Sequence, residues 1–150
     1  MGRGGAPVFL GTYSPRLDEK GRLAFPAKYR DDLAGGVVIV PGQERCLFVF
    51  PRADFAERFA TLISAPIGSR KSREASRMVA SAAHDDVPDK QGRVTVPPHL
   101  RGYADLERDV VVVGALSRIE IWNSAAWHSY RASKEDDYAD FDEGVLDDLF

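Results

Sequence analysis

Four residues stand out by type and by repetition: Asp18 with Arg22, and again Asp89 with Arg93. The first pair lies in Leu17-Asp18-Glu19-Lys20-Gly21-Arg22-Leu23-Ala24-Phe25-Pro26, the second in Pro88-Asp89-Lys90-Gln91-Gly92-Arg93-Val94-Thr95-Val96-Pro97. Asp, Gly, Arg and Pro recur in register, and Arg30 and Arg101 extend the match. Two carboxylates could form an acid/base pair. Each, however, stands four positions before its arginine in an Asp-x-x-Gly turn. The expected work of Asp18 and Asp89 is to cap that turn or to pair with the arginine, while Gly21 and Gly92 supply the turn's backbone angle. The arginines are not explained so simply. A turn requires the glycine, but a strand start does not require Arg. Five donors in a planar fork match a guanine edge or a phosphate. An Arg displayed twice at the same point therefore indicates contact with DNA.

The elements that position these residues repeat as well. Each turn is followed by a short strand (Leu23-Ala24-Phe25 or Val94-Thr95-Val96), closed by Pro26 or Pro97 at the start of a helical turn. A short amphipathic segment follows, then an apolar strand, Val37–Val40 or Val110–Val113. A turn leads to a further strand, Cys46–Phe50 or Arg118–Trp122, and then a helix begins near Pro51 or Asn123. The chain is thus a tandem duplication of a small β-rich unit, of class α+β. Units of about 55 to 60 residues are marginal alone, so their strands are expected to share one sheet system.

Between the copies, Asp54–Ala65 has helical spacing of Phe55, Phe59, Leu62 and Ile63. Pro66-Ile67-Gly68 breaks it, and Ser69–Ala83 forms a second helix with a thin apolar side. Together they predict an αα-hairpin linking the repeats. Val8–Tyr13 is expected to be a first strand, and His84–Val87, in the place that Tyr13–Arg16 holds in the first copy, a strand entering the second motif. Residues 1–7 are expected to be a disordered extension. The domain boundaries are 8–54 for the first repeat, 55–80 for the linking helices and 81–126 for the second repeat. Residues 127–132 end the last helix, and 133–150 form an acidic, mobile tail.

The net charge of −3 conceals an asymmetry: residues 133–150 carry one Lys and eight acids, and residues 1–132 carry 19 Lys/Arg against 15 Asp/Glu. The acidic tail dominates the average, so the overall charge does not argue against a nucleic-acid partner. Cys46, the only cysteine, excludes an internal disulfide and is expected to be a structural thiol, in keeping with a cytoplasmic setting. There is no long apolar run for a membrane span. His84, His99 and His128 share no ligand spacing, so no metal site is expected, and no cofactor. The repeats match no nucleophile with a base, and there is no Gly-rich phosphate loop, so no enzyme activity or small-molecule substrate is expected.

At the duplicated turns, together with Phe9-Leu10-Gly11, the sequence resembles the MraZ family, double-repeat members of the SpoVT–AbrB-like fold. The resemblance covers roughly residues 8 to 132 and leaves the acidic tail outside. It implies swapped-hairpin β units forming a pseudo-dimeric sheet core. It also implies a nucleoid-associated bacterial transcriptional regulator of the division and cell-wall gene cluster, including its own promoter. Such a protein binds direct repeats in double-stranded DNA as a homo-oligomeric ring, and repression is the expected sense. In that account Arg22 and Arg93 reach bases, while Arg16, Lys20, Lys28 and Arg30 hold phosphates. Gln91 and His99 replace Lys20 and Lys28 in the second copy, so the first copy is expected to dominate. An alternative is an antitoxin-like protein of the same fold, with the acidic tail wrapping a toxin; the double motif argues against it.

Overall fold

Valine runs that are apolar at every position need burial on both faces, and that need shapes this molecule. The computed structural model describes residues 5–149; residues 1–4 of the expected N-terminal extension lie outside them. In chain order the strands are β1 (Thr12–Tyr13), β2 (Arg22–Ala24), β3 (Val37–Pro41), β4 (Leu47–Pro51), β5 (His84–Asp86), β6 (Arg93–Thr95), β7 (Val110–Gly114) and β8 (Ile119–Asn123). The helices are α1 (Arg30–Leu33), α2 (Arg52–Arg58), α3 (Ala60–Ile63), α4 (Arg70–Ala82), α5 (Pro98–Tyr103), α6 (Ser124–Ala139) and α7 (Glu143–Leu149).

Six strands form one antiparallel sheet in the order β1-β7-β8-β4-β3-β5, and β2 pairs with β6 in a separate two-stranded ribbon. The sheet joins the repeats at its centre, where Leu47 faces Ile121 and Val49 faces Ile119. Its edges are exchanged. β1 of the first repeat pairs with β7 of the second, and β5 of the second pairs with β3 of the first. The ribbon likewise takes one strand from each repeat. The two units are therefore interleaved, as the α+β, swapped and pseudo-dimeric reading expects.

Period-two alternation sends Val37, Ile39, Val110 and Val112 to the inner face, where they meet Leu23, Phe25, Val94 and Val96 from the ribbon segments. Tyr29, Leu33 and Leu100 seal the ends of this core. The alternate residues face outward into two smaller clusters. Val38, Val40 and Phe50 pack under Phe55, Phe59 and Val79. Val111, Val113, Cys46 and Trp122 pack under Trp127 and Tyr130. The Cys46 thiol is buried there, and burial raises its pKa well above the ordinary thiol range.

Three elements differ from the sequence reading. The expected strand Val8–Tyr13 is paired continuously only at Thr12–Tyr13, with a separate bridge from Phe9 to Leu116. Gly11, at φ +95°, turns the chain between them. The expected helix Asp54–Ala65 is split into α2 and α3 at Phe59, which packs edge-on against Phe50 at 5.3 Å. The final helix does not stop at residue 132: α6 continues to Ala139, and α7 follows within the acidic tail. Ala, Lys and Glu are good helix formers, and an Arg131–Glu135 pair one turn apart supports the extension. The break at Pro66–Gly68 and the return helix after Ser69 are as expected; the Ser69 hydroxyl caps α4 by accepting the Ser72 N–H.

Candidate nucleic-acid interface

Each Asp-x-x-Gly-Arg turn is built by its own side chains. In the first, Gly21 sits at φ +75° and donates its N–H to the Asp18 carbonyl at 3.0 Å. Oδ1 of Asp18 accepts the N–H groups of Lys20 and Arg22, each at 2.9 Å. Its Oδ2 accepts Arg22 Nε at 2.6 Å. The second turn repeats this closely. Gly92 sits at φ +74°, Asp89 Oδ1 accepts the N–H groups of Gln91 and Arg93, and Oδ2 accepts Arg93 Nε at 2.8 Å. The Arg22 and Arg93 backbone N–H bonds, helped by their side chains, hold both carboxyls below the ordinary value of 3.8. Capping the turn and pairing with the arginine are thus one arrangement. Each carboxylate is occupied by donors of its own turn, which leaves the acid/base role without support.

The two turns then lock onto each other. Phe25 donates its N–H to Gly92 O at 3.1 Å, and Val96 donates to Gly21 O at 2.9 Å. Arg30 and Arg101 close the exchange from the side. Arg101 crosses over Gly21 and donates from Nε to Val96 O at 2.9 Å; Arg30 crosses over Gly92 and donates from Nε to Phe25 O at 3.4 Å. A Cβ on Gly92 would fall 2.6 Å from Arg30 Nε, and one on Gly21 would fall 2.9 Å from Arg101 Cζ. Each glycine therefore serves both the turn and the close approach of the other repeat.

The product is an antiparallel ribbon in which Arg22 faces Thr95, Leu23 faces Val94, and Ala24 faces Arg93. Directly opposed residues share a face. Leu23 and Val94 are buried in the core, so Arg22, Ala24, Arg93 and Thr95 occupy the other face. The two arginines lie diagonally, with Cα atoms about 7–8 Å apart by normal ribbon geometry. Each has its Nε fixed by an aspartate. Among the described residues, their terminal amines make no hydrogen bond, so each fork is oriented with donors to spare.

The other expected contacts are spread around this ribbon. Lys20 is exposed at the tip of the first turn. Arg16 is exposed but pairs with Asp109 at 3.1 Å. Lys28 is exposed, with Nζ 5.8 Å from the centre of the Tyr13 ring. Arg30, as described, bonds Phe25 O and lies over Gly92 of the opposite turn. His99, at the position matching Lys28, lies 2.8 Å from Ala82 O. Sequence reasoning missed Lys90. It sits one position before Gln91, exposed at the tip of the second turn, where the first copy has Glu19. Residues 16–30 carry five cations and two acids, and residues 87–101 carry three cations and one acid. The two copies are close in charge, and the signal for Lys90 was present in the matched stretch itself.

The family model for MraZ proteins, described as antitoxin-like, matches the chain twice, over residues 8–78 and 79–148. The second match takes in most of the acidic tail, which the sequence resemblance had left outside. A transcriptional regulator MraZ from Salinispora arenicola is 58% identical over 142 residues, covering 95% of this chain and all of that protein. A transcriptional regulator MraZ from Micrococcus luteus is 52% identical over 143 residues, covering 95% of this chain and all of that protein. One from Parafrankia sp. is 52% identical over 139 residues, covering 93% of this chain and 97% of its own length.

Proposed function

The chain belongs to the MraZ family, and on that premise we propose that it is a sequence-specific, DNA-binding transcriptional regulator whose reading head is the β2–β6 ribbon. The observation that carries this is the placement of Arg22 and Arg93, both half-buried, on one solvent-facing side of a ribbon whose other face is the core. A two-stranded antiparallel ribbon fits the major groove of B-DNA. There an Arg fork can take the O6 and N7 of a guanine, and a fork already oriented by Asp18 or Asp89 loses less freedom on binding. Lys20 and Lys90, at opposite ends of the ribbon, supply phosphate contacts that set register without reading sequence, aided by Arg16, Lys28 and Arg30.

One ribbon spans only a few base pairs. Affinity in this account comes from several copies bound side by side on direct repeats, each raising the effective concentration of the next. We place the operator in the promoter of the division and cell-wall gene cluster, this protein's own promoter included. The assembly is a ring, the effect repression, and the setting the nucleoid in the cytoplasm. The role is binding without catalysis, and neither cofactor nor metal takes part.

A gel-shift titration against the gene's own upstream DNA tests this reading. Wild type is expected to shift that fragment in preference to a scrambled one of equal length. Its affinity should also fall steeply with added salt, because phosphate neutralisation releases counterions. Equal affinity for both fragments, or a flat salt response, would overturn it.

A further inference from the structure

The first repeat leaves an apolar groove of about 490 Å³ between α2–α3 and α4, floored by Val38 and walled by Phe55, Phe59, Leu62 and Val79. Ile63 also lines it and is 65% exposed. Residues 52–83 carry six cations and three acids, and Asp85, which also lines the groove, is paired with Arg52. Arg77 adjoins the groove between Ser76 and Ala80, both of which line it. Among the described residues, neither Arg77 nor Lys71 makes an ion pair.

The other end of the chain has the opposite character. Residues 133–150 carry eight acids and one cation. Within them α7 places Val145, Leu146 and Leu149 on one side, at i, i+1 and i+4. None of its residues is buried, and Val145 and Leu149 are 40% and 57% exposed. A seven-residue helix is too short to be stable alone in water, so its apolar face calls for a partner. Its own sheet does not provide one. α6 packs on that sheet through Trp127 and Tyr130, and every residue from 131 to 145 is exposed. The nine steps from Tyr130 to Ala139 carry the chain about 14 Å along the helix axis.

We infer that α7 of one copy docks in the α2–α4 groove of a second copy. Val145, Leu146 and Leu149 enter the groove, and the arm's acids face the cations of α4. Each copy has one arm and one groove, so the contact is heterologous; repeated, it closes a ring or extends a chain. The inference supplies an interface for the oligomer proposed above and rests on that part of the reading, not on DNA binding.

Light scattering on three full-length proteins tests it: wild type, an arm variant (Val145→Asp with Leu149→Asp) and a groove variant (Arg77→Glu with Ala80→Glu). All four positions are exposed, and circular dichroism checks that each variant folds. Wild type is expected to be oligomeric and each variant alone to fall to the mass of a single chain. An equimolar mixture of the two variants should recover dimers and go no further, because only one intact arm then meets one intact groove. Variants that keep the wild-type mass would overturn the docking contact while leaving the oligomer standing. A mixture that stays monomeric would overturn the arm-in-groove contact between copies. A monomeric wild type would remove both the contact and the ring, and the gel-shift result would stand apart from either outcome.

Discussion

The two repeats are nearly identical at the ribbon and unlike on the outer face of the sheet. At the ribbon, Asp18 and Asp89 make the same bonds, Gly21 and Gly92 share one conformation, and Arg30 and Arg101 cross to the opposite turn. On the outer face, Phe50 of the first repeat is covered by a helical hairpin through Phe55 and Phe59. The matching Trp122 is covered by one long helix through Trp127 and Tyr130. The turns have no freedom to diverge, because each is completed by backbone and side-chain groups of the other. The outer clusters need only exclude water, which differently shaped aromatic sets can do, so each repeat could acquire its own appendage there. One carries a basic groove and the other an acidic arm.

The outer clusters give the largest expected effects. Phe50→Ala and Trp122→Ala should each cost about 3–5 kcal/mol in chemical denaturation, since both side chains are at least nine-tenths buried. Similar losses would show that the two coverings are equivalent despite their different construction. A loss confined to one would break the comparison and make a single cluster the keystone of the sheet.

Next come the turn glycines. Gly21→Ala and Gly92→Ala each force a left-handed backbone on alanine and push against an arginine, at a cost of about 1–3 kcal/mol. The two losses should match, and the double variant should depart from additivity because the turns share partners. Additive losses would mean that the turns are independent.

A smaller, symmetric effect is expected in acid. Both aspartates titrate below their ordinary 3.8 in the folded chain. Their contribution is fully present above the unfolded value and is lost as pH falls through the folded one, so it should fade only below about pH 4. Asp18→Asn with Asp89→Asn should flatten the acid side of a thermal-midpoint profile. An unchanged profile would mean that the charge on these turns does not matter.

Much of this was legible in the residues. The duplicated turn could be read because each of its positions answers to a separate constraint: an acceptor at Asp, an angle at Gly, a partner for the carboxylate at Arg. The double-sided burial of Val37–Val40 could be read from its unbroken apolar run. The identity of the ribbon's partner strand could not be read from periodicity, because three alternating residues specify a face and not a neighbour. It is seen only in the fold, where β6 of the other repeat supplies it. Arg30 and Arg101 could be read as an Arg repeated nine positions after a repeated Gly, but the crossing that sets each over the other repeat's Gly is a tertiary event. The extension of α6 was missed because residues 131–139 bury nothing, and without an apolar stripe a helix gives little periodic signal.

Quantitative DNA binding by wild type, Arg22→Ala, Arg93→Ala and the double variant, at one salt concentration and against the upstream and scrambled fragments, bears most directly on the ribbon as reading head. Each single variant should lose about 1–3 kcal/mol on the upstream fragment, by comparable amounts. The double variant should bind both fragments alike. A double variant that still prefers the upstream sequence would contradict base reading by this ribbon, and the paired arginines would then be structural.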